Sequence, residues 1–374
     1  MALIRFVRAF RQMVTVKPSP EFRLAVDCCR LNFGGAAKTY DAGEVDWDLF
    51  LDLVRFHRIE GLAWNALSAG PSGVPDAVAA QLSDAAKAIA AQNLHAAADC
   101  QALLERFDAA GVPLLFLKGL TLGALAYGNP ALKSAIDVDL LIDPKDLGKA
   151  AELLRAAGYE LAAPRNSLAD RVLHAWHRGW KESVWSKSSP GLQIDLHTRT
   201  ADNPRLISRI DVHAQRQSVE LGNGIRLPTL ADDELFAYLA VHGASSAWFR
   251  LKWISDFAAF LHNRTVPDIE RLYERSQALG AGRAAGQALL LADELFGTLE
   301  ALPELRRRLS SDRTTPLLFE IALRLVTGPP IEPTQRRLGT LPIHRTQFLL
   351  LPALAYKLSE VARQANRLLA WPRS

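Results

Sequence analysis

The chain has few cysteines, and none of them forms a metal-binding or disulfide pattern. Three occur in 374 residues: the adjacent pair Cys28 and Cys29, and the distant Cys100. Neighbouring cysteines rarely bridge each other, and the sequence has neither a CxxC pair nor a Cys/His array with zinc spacing. We therefore expect three reduced, packed thiols and a protein of a reducing compartment.

The sequence also lacks an apolar run of the roughly 18 residues that a membrane span requires. Arg5, Arg8 and Arg11 interrupt the first apolar stretch, which has no uncharged core or cleavage site of a targeting signal. These absences predict a cytoplasmic protein without a transmembrane segment. Residues 1–16 and 355–374 are amphipathic and basic, which favours packing on their own domain; contact with a partner or a membrane surface is the alternative.

No low-complexity tract occurs, and 49% of the residues are hydrophobic, which excludes large-scale disorder. The length allows two or three compact domains. The net charge of +4 is compatible with binding phosphates, but it is small for a dedicated nucleic-acid binder.

Secondary-structure signals divide the chain into three parts. A helical, alanine-rich stretch ends at the breaker Gly111-Val112-Pro113, short apolar runs and two hairpin signals follow, and helices return after Pro228. We predict an N-terminal helical region at 1–110, a strand-containing module at 111–228 and a C-terminal helical domain at 229–374. The strands and helices do not alternate strictly, so the pattern predicts an α+β fold with a small mixed sheet.

Two carboxylates lie on one short aliphatic strand, residues 136–142 (IDVDLLI). Because residues i and i+2 of a strand share a face, Asp137 and Asp139 project together. Such a pair is stable mainly when a cation lies between the two groups. Mg²⁺ is the natural choice, because it binds one or two carboxylates and fills its other positions with water and phosphate oxygens.

A third carboxylate lies on another short strand, residues 193–197 (QIDLH), where Asp195 faces the same way as His197. If the two strands are neighbours, Asp137, Asp139 and Asp195 converge and could hold two Mg²⁺ ions that bind a nucleoside triphosphate (NTP) and activate a hydroxyl. The predicted chemistry is in-line displacement at the α-phosphorus. His197 could contact the nucleotide or orient Asp195, and a structural role is the alternative.

Lys118 and Gly119 lie between an apolar strand and a helix. A glycine there lets backbone N–H groups approach phosphate oxygens, and the helix N-terminus favours negative charge. Lys118 can add a positive charge. Lys181, on the strand before Asp195, could also approach the triphosphate, with a solvated strand lysine as the alternative.

These segments together resemble the bacterial uncharacterised nucleotidyltransferase family of the polymerase-β superfamily. The similarity runs from roughly residue 40 to residue 260 and includes residues 132–142 (LKSAIDVDLLI) and 248–256 (WFRLKWISD). It implies a polymerase-β-like nucleotidyltransferase module at 111–228, with Asp137 and Asp139 as metal ligands. It implies Asp195 as a third ligand or as the base for the acceptor hydroxyl, and it supplies no substrate.

The chain departs from the expected pattern in two places. The superfamily usually has Gly-Ser after the first strand, where this chain has Lys118-Gly119, as in the family itself. The family tends to carry an arginine before the acidic pair, where this chain has Lys133, which keeps the charge but loses bidentate geometry. Lys133 and the adjacent Ser134 are therefore predicted phosphate contacts.

Four residues of the C-terminal helical region allow two interpretations: His242, Arg250, Lys252 and Asp256. Lys252 and Asp256 are spaced i, i+4 and can pair on one helix as part of an interdomain salt bridge. Alternatively, this helix closes the cleft and contacts the nucleotide base or the acceptor.

The sequence thus predicts a Mg²⁺-dependent enzyme that moves a nucleoside monophosphate from an NTP to a hydroxyl group. The predicted acceptor is a small molecule, peptide or protein rather than a long nucleic acid. Natural-product tailoring is suggested by association alone. The alternative is a non-catalytic module that senses nucleotide or binds a partner on the same fold, although such a module has no need to cluster three acids.

Overall fold

The computed structural model describes residues 18–35, 40–69, 73–133, 137–164, 170–187 and 192–370. The amphipathic stretch 1–16 and the predicted phosphate contact Ser134 lie outside the described residues.

Among the described residues, four α-helices precede the strands: α1 (Pro20–Leu31), α2 (Trp47–His57), α3 (Glu60–Ser68) and α4 (Asp76–Ala109). Asp46 caps α2, because its side chain accepts hydrogen bonds from the backbone N–H groups of Asp48 and Leu49 at 3.1 and 3.0 Å. Helix α4 has 34 residues and ends at the predicted breaker, where Gly111 has a positive φ of 66°.

The main sheet has five strands: β1 (Leu115–Phe116), β2 (Asp137–Leu141), β3 (Glu160–Ala163), β4 (Glu182–Ser186) and β5 (Gln193–His197). Their order is β1-β2-β5-β4-β3. Strands β2 and β5 are parallel and the other pairs are antiparallel, so the sheet is small and mixed, as predicted. The predicted hairpin of β4 and β5 is also present.

Shorter elements connect these strands: α5 (Leu120–Tyr127), α6 (Leu147–Ala156) and α7 (Asp170–Gly179). A second hairpin, β6 (Arg216–Gly222) with β7 (Ile225–Leu230), lies where the sequence predicts one. The coarse α+β prediction is therefore confirmed.

Eight α-helices follow in the described part of the chain: α8 (Asp232–Ser245), α9 (Leu251–His262), α10 (Val266–Ala278), α11 (Gly282–Phe296), α12 (Pro303–Ser311), α13 (Thr314–Val326), α14 (Leu341–Leu349) and α15 (Leu354–Ala370). Across the described part of the chain, no helix combines the length and the apolarity needed to cross a membrane. The three cysteines are unbridged and buried, as predicted.

The described residues form two hydrophobic cores. The larger core joins α1–α3 to helices of the C-terminal region, and the smaller core joins one face of the main sheet to α4 and α6. Helix α4 contributes Val78 and Leu82 to the larger core and Cys100 and Phe107 to the smaller one. The boundaries at 110 and 228 stay a prediction, and α4 physically links the parts that they separate.

Helix α15 docks through its polar face. Glu360 is 1% exposed; it pairs with Arg363 and accepts a hydrogen bond from Asn203 Nδ2 at 2.9 Å. The apolar side chains of Leu354 and Leu358 are 71% and 63% exposed. The amphipathic stretch therefore packs on the protein, as expected, but with its apolar stripe turned outward.

Candidate active site

Two of the predicted acids face each other across neighbouring strands. In the parallel pairing of β2 with β5, Asp139 is in register with Asp195. The alternation of a strand turns Ile194 and Leu196 into the smaller core and leaves the acids on the opposite face. Within the described residues, Asp139, Asp195 and His197 form a group whose ligand atoms all lie within 4.8 Å of one another.

Lys118 lies against the acidic pair of β2. Its Nζ is 2.5 Å from Asp139 Oδ2 and 3.8 Å from Asp137 Oδ1, and only 13% of its side chain is exposed. Burial by itself lowers the pKa of Lys118, but the carboxylates of Asp139 and Asp137 outweigh it and hold that pKa well above its usual range. A positive charge therefore lies beside both carboxylates of β2.

His197 holds Asp139 from the other side. Its Nε2 donates to Asp139 Oδ1 at 3.0 Å, and the ring is buried. Burial by itself raises the pKa of Asp139, but Lys118 and the hydrogen bond from His197 lower it well below its usual range. The sequence suggested that His197 orients Asp195; the structure shows its hydrogen bond going to Asp139.

Asp195 experiences an excess of negative charge. Its Oδ1 accepts a hydrogen bond from Gln193 Nε2 at 3.0 Å. Burial, followed by the charges of Asp139, Glu182 and Asp137, raises the pKa of Asp195 to about 6. A cation placed among these groups would relieve this repulsion.

Glu182 is a fourth acid that the sequence reasoning missed. It pairs in register with His197 across the β4–β5 hairpin, and its Oε2 is 3.4 Å from His197 Nε2. Lys181 is a predicted triphosphate contact. Its Nζ lies 2.5 Å from Glu182 Oε2, so this lysine pairs with an acid of the same site. The sequence predicts the β4–β5 hairpin but not its register, and only the register shows that Glu182 lies opposite His197. We refer to Asp137, Asp139, Asp195 and Glu182 as the acidic cluster.

A pocket adjoins the acidic cluster on the helical side, and we call it the basic pocket. Its lining residues come from β2, α5, α8, α9 and the segments that flank them: Lys118, Gly119, Leu122, Lys133, Asp137, Leu239, His242, Lys252, Trp253 and Asp256. Gly119 has a φ of 74°, which favours glycine, and the turn that it makes brings the N-terminus of α5 to the pocket.

Two buried lysines in this pocket, Lys133 and Lys252, lie near the carboxylate of Asp256. Lys133 Nζ is 3.2 Å from Asp256 Oδ2, and Tyr127 donates to Asp256 Oδ1 at 3.0 Å. Lys133 and Lys252 are 5% and 8% exposed. Burial, followed by the charge of Lys133, lowers the pKa of Lys252 to about 7. The sequence named Lys252 as the partner of Asp256; the ion pair with Lys133 adds a contact between distant segments.

The same pocket includes His242, another of the four helical residues for which the sequence allowed two interpretations. Burial, followed by the charge of Lys118, lowers the pKa of His242 well below its usual range, so the ring is neutral. With Lys252 and Asp256 in the same lining, α8 and α9 form one wall of the pocket, and contact of this wall with a nucleotide or an acceptor stays a prediction.

A model of the uncharacterised nucleotidyltransferase family matches residues 43–297, which is more than half of the chain. The chain belongs to this family. The predicted membership of this nucleotidyltransferase family is thereby confirmed, and the protein is a transferase enzyme. No curated protein matches the chain in the corresponding comparison.

In this nucleotidyltransferase the structure places the predicted residues in two groups. Asp137, Asp139, Asp195, His197 and Lys181 lie in or beside the acidic cluster. Gly119 and Lys133 line the basic pocket. Lys118 belongs to both groups, because it contacts the acids and lines the pocket.

The acidic cluster fits a divalent metal ion. Asp139 and Asp195 each offer a carboxylate oxygen, the ligand that Mg²⁺ prefers, and the ligand atoms are close enough to share one ion. Asp137, whose Oδ1 lies 3.8 Å from Lys118 Nζ, is not part of this group of ligand atoms, so its predicted role as a metal ligand stays a prediction. Burial, followed by the neighbouring carboxylates, raises the pKa of Asp195, so a cation bound beside it would stabilise its ionised form.

Proposed function

We propose that this nucleotidyltransferase moves a nucleoside monophosphate from a Mg²⁺-bound NTP to a hydroxyl group, using a polymerase-β-like module. One observation carries the proposal: Asp139 and Asp195 lie in register on parallel strands, directly beside a pocket lined by three lysines. An acidic position next to a basic pocket matches a substrate that brings a metal cation and a polyphosphate together.

The two groups of residues have different roles in this proposal. Asp137, Asp139 and Asp195 would hold Mg²⁺, one ion or two, which supplies charge neutralisation at the phosphate oxygens and lowers the pKa of a bound hydroxyl. His197 fixes the orientation of Asp139 through its hydrogen bond. Lys133 and Lys252 bind the phosphates, together with the backbone N–H groups at the N-terminus of α5.

The proposed reaction is a single displacement. The acceptor oxygen forms a bond to the α-phosphorus while the bond from that phosphorus to the bridging oxygen breaks, so pyrophosphate leaves. The hydroxyl proton passes to the carboxylate oxygen of Asp195 that does not bind the metal. The buried lysines of the pocket stabilise the charge that develops on the leaving pyrophosphate.

We further propose a small molecule or peptide as the acceptor, in the cytoplasm. The modest net charge of +4 supports this class over a long nucleic acid, whose binding relies on many basic contacts. A role in natural-product tailoring stays a prediction.

The test is the transfer of radiolabel from each of the four α-labelled NTPs, with Mg²⁺, to hydroxyl acceptors of small-molecule and peptide libraries. We expect one or more labelled products and stoichiometric pyrophosphate. The double variant Asp137→Asn/Asp139→Asn should lose at least about 10³-fold in rate.

Asp84→Asn is the matched control, because Asp84 lies on α4 with 78% of its side chain exposed. It should retain full activity. Equal rates for the double variant and the wild type would refute the proposed function, and so would binding of Mg²⁺·NTP that is unaffected by the double substitution.

A further inference from the structure

Lys118 occupies the position that a cation would take between the acids of β2. Its ammonium contacts Asp139 at 2.5 Å and Asp137 at 3.8 Å, and the side chain is largely buried. Two carboxylates on one strand face repel each other, so a positive charge at this point stabilises the pair. The protein itself supplies the charge here.

The same side chain also lines the basic pocket, where Lys133 and Lys252 already lie. One ammonium cannot fully neutralise the acids and contact a phosphate in the pocket at the same time. In the absence of an anion, a third ammonium in the pocket would be repelled by the other two. Electrostatics therefore favours the contact of Lys118 with Asp137 and Asp139 until a polyphosphate binds in the pocket.

The residue type suits such a change of partner. A lysine ammonium is a compact point charge on a flexible four-carbon stem, whereas an arginine would fix a carboxylate in bidentate geometry. Lys118 follows directly after Leu117, whose backbone N–H donates to the carbonyl oxygen of Asp139, and it precedes Gly119 at the start of α5. The backbone at Lys118 is thus fixed between the two groups, and the side chain alone can change its contact.

We propose that Lys118 is a built-in counter-ion, which neutralises Asp137 and Asp139 before substrate binds and moves to the triphosphate when the metal-bound NTP enters. This inference rests on the proposed function, since it takes the acids to be the metal site. The metal then competes with the ammonium and binds weakly alone. The nucleotide draws Lys118 away, so metal and nucleotide strengthen each other's binding, as linkage requires of coupled sites.

The test measures binding of Mn²⁺, a spectroscopic substitute for Mg²⁺, to the full chain by electron paramagnetic resonance, with and without a non-hydrolysable α,β-methylene NTP. Lys118→Met and Lys118→Gln remove the charge, and Lys118→Arg keeps it. Lys87→Met is the matched control, because Lys87 lies on α4 with 75% of its side chain exposed.

Without nucleotide, we expect both neutral variants to bind Mn²⁺ about tenfold more tightly than the wild type, a typical size for coupled sites. Lys118→Arg and Lys87→Met should stay close to the wild type. The nucleotide analogue should tighten Mn²⁺ binding in the wild type and have a smaller effect in the neutral variants.

Two other outcomes would count against the inference in different ways. If the wild type binds Mn²⁺ and the neutral variants bind it equally or more weakly, Lys118 is not a counter-ion, and the proposed function stands. If neither the wild type nor any variant binds Mn²⁺ with the analogue present, the metal site itself is refuted, and the proposed function fails with it. A neutral variant that does not fold leaves the other neutral variant and Lys118→Arg to decide the question.

Discussion

The acidic cluster and the basic pocket lie side by side but are built in different ways. The acids of the cluster lie on β2, β4 and β5, where strand alternation and register determine which side chains meet. The lysines of the pocket come from segments around β1, β2 and α9, so tertiary packing alone brings them together. Each region carries an excess of one charge, negative in the cluster and positive in the pocket.

One acid of the cluster and one lysine of the pocket have pKa values shifted in the direction that lowers the stability of the folded protein. The pKa of Asp195 is raised to about 6 and the pKa of Lys252 is lowered to about 7, so each group is harder to ionise than in an unfolded chain. A protein gains no stability from such groups. A metal ion beside Asp195 and a phosphate beside Lys252 would each favour the ionised form of that side chain. We therefore interpret the separation of acids from lysines as an arrangement for binding a metal-bound triphosphate.

The largest effect is expected for Asp195→Asn, which should lower the catalytic rate and raise the stability of the fold. Asp195→Asn should lower the rate by about 10²–10⁴-fold, the usual contribution of a general base. The same substitution should stabilise the fold. The folded pKa of about 6 exceeds the ordinary 3.8, so the wild type loses stability as pH rises from about 4 to 6 and carries the full penalty above 6.

The stability gain of Asp195→Asn is at most about 3 kcal/mol above pH 6, since one pKa unit corresponds to about 1.4 kcal/mol. It should shrink towards pH 4. Chemical denaturation at pH 7.5 and pH 4 measures both values. A gain that is the same at the two pH values would show that the charge of Asp195 is not its source.

An intermediate effect is expected in the basic pocket. Lys252→Met should weaken NTP binding by about 10–100-fold, the range of a hydrogen bond to a charged group. Only the protonated amine attracts phosphate, and its pKa in the unliganded protein is about 7, so wild-type affinity should fall as pH rises above 7. Isothermal titration calorimetry across pH 6 to 9 measures this.

Lys87→Met serves again as the exposed control and should bind nucleotide as the wild type does. An affinity for Lys252→Met that still falls with pH in the same way would assign the pH dependence to another group of the pocket.

The smallest effect is expected for Tyr127→Phe. Tyr127 donates to the carboxylate of Asp256, which in turn pairs with Lys133. Losing this hydrogen bond should reduce the free energy of unfolding by about 1–2 kcal/mol and raise KM for NTP a few-fold, with kcat little changed. A fall in kcat with constant KM would place Tyr127 closer to the chemistry than the structure does.

The sequence predicts the acids better than the lysines, for a physical reason. Asp137 and Asp139 share a face because of strand periodicity, which is local. The meeting of Asp195 with Asp139 depends on β2 and β5 being neighbours, which the sequence could state only as a condition. Glu182 lies opposite His197 because of the register between β4 and β5, which the sequence does not specify.

The pocket depends on contacts between distant segments. Lys133 and Asp256 are separated by more than a hundred residues, so spacing on one helix pointed to Lys252 as the partner of Asp256 and missed Lys133. Helix α15 shows a second limit of prediction from sequence, namely which face of a helix packs on the protein. Its apolar stripe is evident in the sequence, but Asn203 provides a polar partner for Glu360, and the helix docks by that face.

Helix α4 has a consequence for dividing this enzyme into parts. Its 34 residues span about 51 Å, and the two ends belong to different cores. A fragment of residues 111–228 would leave uncovered the apolar surface on which Cys100 and Phe107 pack, and a fragment ending at 110 would expose those side chains themselves. We therefore expect the smallest soluble fragment that carries the sheet to begin upstream of Asp76. Helix α4 belongs to both hydrophobic cores.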